Sequence, residues 1–325
     1  MSVLNLVEAV NQALDVAMGQ DKNVVVFGED VGVEGGVFRA TKGLQAKYGE
    51  ARCFDSILAE SSIIGAGIGM AINGLKPVVE MQFSGFMFPG YNQIVTHAAR
   101  MRNRSRGLFT VPMVIRMPYG GGVRALEHHS ESLDVLFAHI AGLKLVVPST
   151  PYDAKGLLLA AIDDPDPVIF MEPKRIYRAF KQEVPDEYYT IPIGKAKVLK
   201  EGKDLTVVAW GAMIRETQKA IETLEAQGHS IELIDLRTIM PFDKETILES
   251  VKKTGRFAVV HEAATSFGPG AELITTVNEG AFLYLEAPPK RIGSVDTIVP
   301  LPKGEHFYVP NPEWIAQELK SVLEF

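Results

Sequence analysis

The sequence predicts an α/β protein of two domains, each built on a largely parallel sheet packed between helices. Short apolar runs at Val24–Phe27, Val78–Met81, Val111–Arg116, Leu143–Val147 and Val168–Met171 alternate with longer amphipathic stretches. Strands apolar on both faces belong in a parallel sheet covered by helices. Between about Lys181 and Gly194 the chain turns polar and is broken by Pro185, Asp186, Glu187 and Pro192, and beyond that stretch the alternation resumes. We place the boundary there, giving domains of residues 1–185 and 186–325, and a 325-residue chain that is 46% hydrophobic can fill two cores.

Taken in order, Leu6, Val7, Val10, Ala13, Leu14 and Ala17 recur at helical spacing and lead into the strand Val24–Phe27, which ends at Gly28. Residues 52–69 set one acid, Glu60, between an apolar run and a segment carrying Gly65, Gly67 and Gly69. Each glycine in a helix costs about 1 kcal/mol relative to alanine, so something must approach that backbone closely. The spacing is G-x-G-x-G and follows Glu-Ser-Ser rather than a strand end, which argues for packing of a helix or subunit over a dinucleotide. Arg100, Arg102, Arg104 and Arg106 suit a solvated face or subunit salt bridges. In the second domain Leu205–Trp210, Ile231–Leu236 and Phe257–His261 read as strands, Arg215–Ala226 and Lys244–Lys253 as helices, and Glu313–Phe325 as a closing helix.

Composition narrows the function. A net charge of −7 disfavours nucleic acid as a partner. A single cysteine, Cys53, excludes an internal disulfide and a cysteine-based zinc cluster, and it suits core packing in a reducing compartment. No run of about 18 apolar residues occurs and the opening residues lack a basic segment followed by an apolar stretch, so a cytoplasmic protein without membrane contact is expected.

Two stretches could carry chemistry. Glu60 sits at a strand-to-helix corner, where desolvation and neighbouring charges tune an acid. The run Pro118-Tyr119-Gly120-Gly121-Gly122-Val123 follows an apolar strand and delivers His128 and His129 to one place, a plausible active-site edge. No further His or Cys stands at zinc-ligand spacing. Phe83, Phe86 and Phe88, beside Pro89-Gly90, suit a core and are also able to stack on a planar ring.

Several motifs resemble the beta subunit of thiamine-diphosphate-dependent 2-oxo acid dehydrogenases. They are Phe27-Gly28-Glu29-Asp30-Val31-Gly32, Gly35-Gly36-Val37-Phe38-Arg39-Ala40-Thr41, Leu58-Ala59-Glu60, Gln82-Phe83, Gly120-Gly121-Gly122-Val123, His129-Ser130, the run Pro148 to Leu157, and Asp235-Leu236-Arg237-Thr238. They follow in order across nearly the whole chain. The resemblance implies a transketolase-like pyrimidine-binding domain followed by a transketolase-type C-terminal domain. It implies a thiamine diphosphate shared with an alpha subunit, which holds magnesium and the diphosphate on a Gly-Asp-Gly motif absent from this sequence.

By position, Glu60 becomes the acid that hydrogen-bonds the aminopyrimidine and promotes its imino tautomer, a task that needs a carboxylate. Phe86 takes the position of the ring that stacks on the pyrimidine, Gln82 lies among the cofactor-binding residues, and His129 rather than His128 matches the histidine that steers protons and positions the lipoyl group. The stretch containing Ala161, Ile162, Asp164 and Asp166 matches a loop that binds a structural potassium ion in some relatives, and it equally suits an ordinary turn at Pro165.

The implied assembly is two alpha with two beta subunits, with a dihydrolipoyl acyltransferase docking on the C-terminal region through its subunit-binding domain and presenting lipoyl domains. Phe54-Asp55-Ser56-Ile57 departs from the common Asp-Thr-Pro, and Arg124-Ala125-Leu126-Glu127 replaces a segment that varies with substrate. Glu172-Pro173-Lys174 and Ile239-Met240-Pro241-Phe242-Asp243 lean toward branched-chain members, with pyruvate the other substrate. The rival readings are half of a split transketolase or deoxyxylulose-phosphate synthase, and a scaffold subunit without catalytic residues.

Overall fold

A computed structural model describes residues 1–325. The first sheet has seven strands, in the order Thr238–Met240, Lys144–Val146, Val168–Pro173, Val114–Tyr119, Lys76–Glu80, Val24–Gly28 and Cys53–Asp55. All its pairings are parallel except the first, in which Thr238–Met240 runs antiparallel to Lys144–Val146. That edge strand comes from the second half of the chain, so the two halves share a sheet.

The second sheet orders Lys290–Ser294, Phe257–Ala264, Leu205–Ala209, Ile231–Asp235 and Lys197–Lys200, with only the last strand antiparallel. Alternate residues of the strands feed different apolar clusters. Val168 and Phe170 join one while Ile169 and Met171 join the other, and each cluster also takes in strands of the second sheet. The domains are therefore packed as one body.

Helix ends follow local chemistry. Leu6–Gln20 starts at a capping box in which the Asn5 side chain accepts from the Glu8 amide and Glu8 accepts from the Asn5 amide. Pro151–Asp163 begins with Thr150 as cap and proline at the first helical position. Asp243 caps Lys244–Thr254, and Asn311 caps Pro312–Leu323. No helix is long and apolar enough to cross a membrane.

Three details differ from the sequence reading. The strand expected from Val111 begins at Val114, because Pro112 has no amide to donate to the ladder. The polar stretch between the domains contains a short strand, Gln182–Val184, paired with Ser2–Leu4. Of Gly65, Gly67 and Gly69, only Gly67 is closely packed by this chain: a methyl there would lie 2.7 Å from Met113 Cε, whereas methyls at Gly65 and Gly69 would meet nothing within 4 Å.

Candidate active site

Five adjacent parallel strands end on the same edge of the first sheet, and the residues that follow them meet there. Past Cys53–Asp55 comes Glu60, and past Val24–Gly28 come Glu29 and Asp30. Past Lys76–Glu80 come Gln82, Phe83 and Phe86; past Val114–Tyr119 comes His129; past Val168–Pro173 comes Lys174. The order of strands brings together residues that are far apart in the chain.

Glu60 is the first residue of the helix Glu60–Ile72 and is half-buried. Its neighbour is a second acid. Glu29 is buried, and desolvation followed by the negative charge of Glu60 holds its carboxyl above the usual carboxylate range. Two acids in unequal environments can divide proton donation and acceptance between them. The corner is braced by Asp55, whose carboxylate accepts from the Gly32 amide at 2.6 Å and the Val33 amide at 3.2 Å. The short helix Phe88–Gln93 packs on it, and a methyl at Gly90 would lie 3.1 Å from the Glu60 carbonyl oxygen.

Beside the acids stands a triangle of rings. The His129 ring centre lies 4.5 Å from that of Phe83 and 5.0 Å from that of Phe86, both edge-on, and the two phenylalanines are 5.3 Å apart. Gly85 lets the two turns meet, since a methyl there would fall 2.2 Å from the His128 carbonyl oxygen. His129 Nδ1, Ser130 Oγ, Glu131 Oε2 and Ser132 Oγ are buried without a hydrogen-bond partner. Such a row of unmatched polar atoms beside an acid pair and three half-buried rings fits a polar, planar ligand from outside this chain. Gln82 donates to Asp30 at 3.0 Å, so it joins two strand ends, and His128 pairs with Glu127 at the surface.

Beneath this edge Arg116 is fully buried between Glu80, at 2.8 Å, and Glu172, at 2.7 Å, and Tyr177 donates to Glu172 at 2.6 Å. This network holds three central strands in register under the site. Burial lowers the Lys174 ammonium to about 8 against the pull of Glu262 and Glu305, and its Nζ donates to the Gly120 carbonyl.

The stretch with Ala161, Ile162, Asp164 and Asp166 lies before the strand Val168–Pro173, at the opposite edge from Glu60. Asp164 and Asp166 both have cationic partners: Lys144 reaches Asp164, and Arg102 reaches Asp166 at 2.7 Å. Of the basic run, Arg102 therefore makes a surface ion pair, and Arg104 lies 3.4 Å from His97.

The sequence reading did not single out Glu29, although an acid directly after an apolar strand end was a visible signal. It also gave Lys174, Glu262 and Glu305 no role at the site, since no local pattern connects them to the glycine loop.

Comparison with known proteins agrees with this architecture. Residues 2–179 match the pyrimidine-binding domain of transketolase, and residues 194–315 match the transketolase C-terminal domain. The pyruvate dehydrogenase E1 component subunit beta of Acholeplasma laidlawii is 66% identical over 99% of this chain and 98% of its own. The subunits of the same name from Mycoplasma genitalium and Staphylococcus aureus are 57% identical, over 94% of this chain and 93% of the relative, and 49% identical over the whole of both. A solved split-gene transketolase, described as an inactive beta4 tetramer, shares the fold with a TM-score of 0.80 at 22% identity, covering 99% of each chain. The three E1 beta subunits are named for pyruvate, not for the branched 2-oxo acids toward which two segments lean. The chain belongs to the thiamine-diphosphate-dependent family of pyruvate dehydrogenase E1 component beta subunits.

Proposed function

We propose that this chain forms half of an active site that decarboxylates pyruvate and passes the acetyl group to a lipoyl domain, the other half coming from an alpha subunit in an assembly of two alpha and two beta. The observation that carries the reading is the pair Glu60 and Glu29 at one strand edge beside the triangle of Phe83, Phe86 and His129. The chemistry supplied by bound thiamine diphosphate is an electron sink for the charge left by loss of carbon dioxide. Glu60 would share a proton with the pyrimidine nitrogen, and Glu29, buried beside it and held above the usual carboxylate range, would shape the electrostatics around that acid. Phe86 would set the ring plane, Gln82 would hold the neighbouring strand end through Asp30, and His129 would orient the acyl acceptor. Magnesium and the diphosphate would rest on the alpha subunit. The acyltransferase would dock on the C-terminal region, its basic subunit-binding domain matched by this chain's negative charge. A potassium ion on Ala161, Ile162, Asp164 and Asp166 would stabilise a loop and would compete with Lys144 for Asp164.

The test is carbon dioxide release from pyruvate and from 3-methyl-2-oxobutanoate by this chain co-purified with its alpha subunit. Glu60→Gln should lower kcat by about 100-fold or more while thiamine diphosphate affinity changes little. A cofactor-bound wild-type complex that turns over neither acid, or a Glu60→Gln complex as fast as wild type, would overturn the proposal. Turnover of ketose donors would point to the transketolase-type reading.

A further inference from the structure

The glycine loop Gly120–Ser130 runs from the end of the strand Val114–Tyr119 to His129 and is gripped by side chains from the other domain. The Gly121 amide donates to Glu262, the Gly122 amide donates to Glu305, and the Arg124 amide donates to the second Glu305 oxygen at 2.8 Å. Both acids are buried, at 4% and 5% exposure, and they lie 141 and 183 residues from the amides they meet. Gly120 and Gly122 have φ of 80° and 86°, and methyls at Gly120 and Gly121 would fall 2.7 Å and 2.5 Å from carboxylate oxygens of Glu262 and Glu305. Successive amides turned inward in this way make an anion-binding nest. Here the nest is filled by two carboxylates of the same chain. The loop is closed behind them by the Gly120 amide donating to the Glu131 carbonyl at 3.0 Å. His129 projects from the far turn, where its own amide donates to Leu126 at 3.0 Å.

We infer that Glu262 and Glu305 are positioning residues: by fixing the backbone of the glycine loop they hold the His129 ring against Phe83 and Phe86, so that the second domain sets the geometry at which an acyl acceptor is received. The amide pattern stands on its own, while the role assigned to His129 rests on the function proposed above. The clamp also explains why the glycines are needed without any phosphate in the loop.

The test uses the assembled alpha–beta complex carrying Glu305→Ala or Glu305→Gln, with the exposed Glu313→Ala as control. Hydrogen exchange of the peptide covering residues 120–131 is followed by mass spectrometry. In parallel, the KM for a lipoyl domain is measured, together with the kcat for pyruvate decarboxylation with an artificial oxidant. Glu305→Ala removes a charged acceptor from two amides, so loop exchange should rise about tenfold or more. The KM for the lipoyl domain should rise about tenfold, with kcat in the artificial assay within about twofold of wild type. Glu305→Gln keeps one carbonyl acceptor and should fall between Ala and wild type in both readouts. Unchanged loop exchange, or KM and kcat failing together in both variants, would overturn the clamp. Faster loop exchange in a wild-type-folded complex that never acetylates a lipoyl domain would instead leave the clamp standing and remove the proposed function.

Discussion

Replacing Gly85 with alanine tests whether the meeting of two turns sets the position of His129. The added carbon would lie 2.2 Å from the His128 carbonyl oxygen and 2.7 Å from Glu131 Oε2, where ordinary contact begins at 3.4 Å. One neighbour is backbone, so relief requires the turn Glu127–His129 to retreat by roughly 1 Å in a close-packed site. Overpacking of this kind costs about 1–3 kcal/mol, which in a chain of this size lowers Tm by a few degrees. A displacement of about 1 Å at a reacting centre can cost on the order of 100-fold in rate. The two readouts should therefore separate, with a small fall in Tm by calorimetry and a large fall in acetyl transfer by the alpha–beta complex. Gly65→Ala in the isolated subunit is the control, since its methyl meets nothing within 4 Å and should not lower Tm. Acetyl transfer within about twofold of wild type in Gly85→Ala would refute the reasoning, because a shift of that size could not then matter to the chemistry.

Two further predictions concern stability. Burial raises the Asp134 carboxyl to about 7, so the folded protein holds a proton there that the unfolded chain releases near pH 4. Stability from this group is full below pH 4 and is lost as pH rises through about 7, a change on the order of 4 kcal/mol, and Asp134→Asn should flatten that slope. Urea midpoints at pH 5 and pH 7.5 that shift equally in both proteins would contradict it. The proposed potassium site predicts a higher Tm in potassium chloride than in sodium chloride at equal ionic strength, with the difference enlarged in Lys144→Met, which frees Asp164. Equal Tm values in the two salts, for both proteins, would dispose of the ion.

The parallel sheets, the main helices and the acid at the strand-to-helix corner were legible in the sequence. Val24–Gly28 and Val168–Met171 are apolar on both faces, and Thr150 with Pro151 marks a helix start, because periodicity and capping act over a few neighbouring residues. Where a local rule competed with periodicity the reading slipped, as at Val111, because Pro112 removes a ladder donor. The strand Thr238–Met240 was not legible at all: three residues carry little pattern, and its place is set by Lys144–Val146 far upstream. Glu60 could be found by type and position, and the motif Gly120-Gly121-Gly122 could be seen, but neither revealed what lay beside it. Strand order decided that Glu29 meets Glu60 and that His129 meets Phe83 and Phe86, and the packing of the second domain decided that Glu262 and Glu305 fill the glycine nest. Those contacts join residues up to 183 positions apart, and at that separation the pairing is selected by the burial of whole sheets rather than by any short stretch of chain.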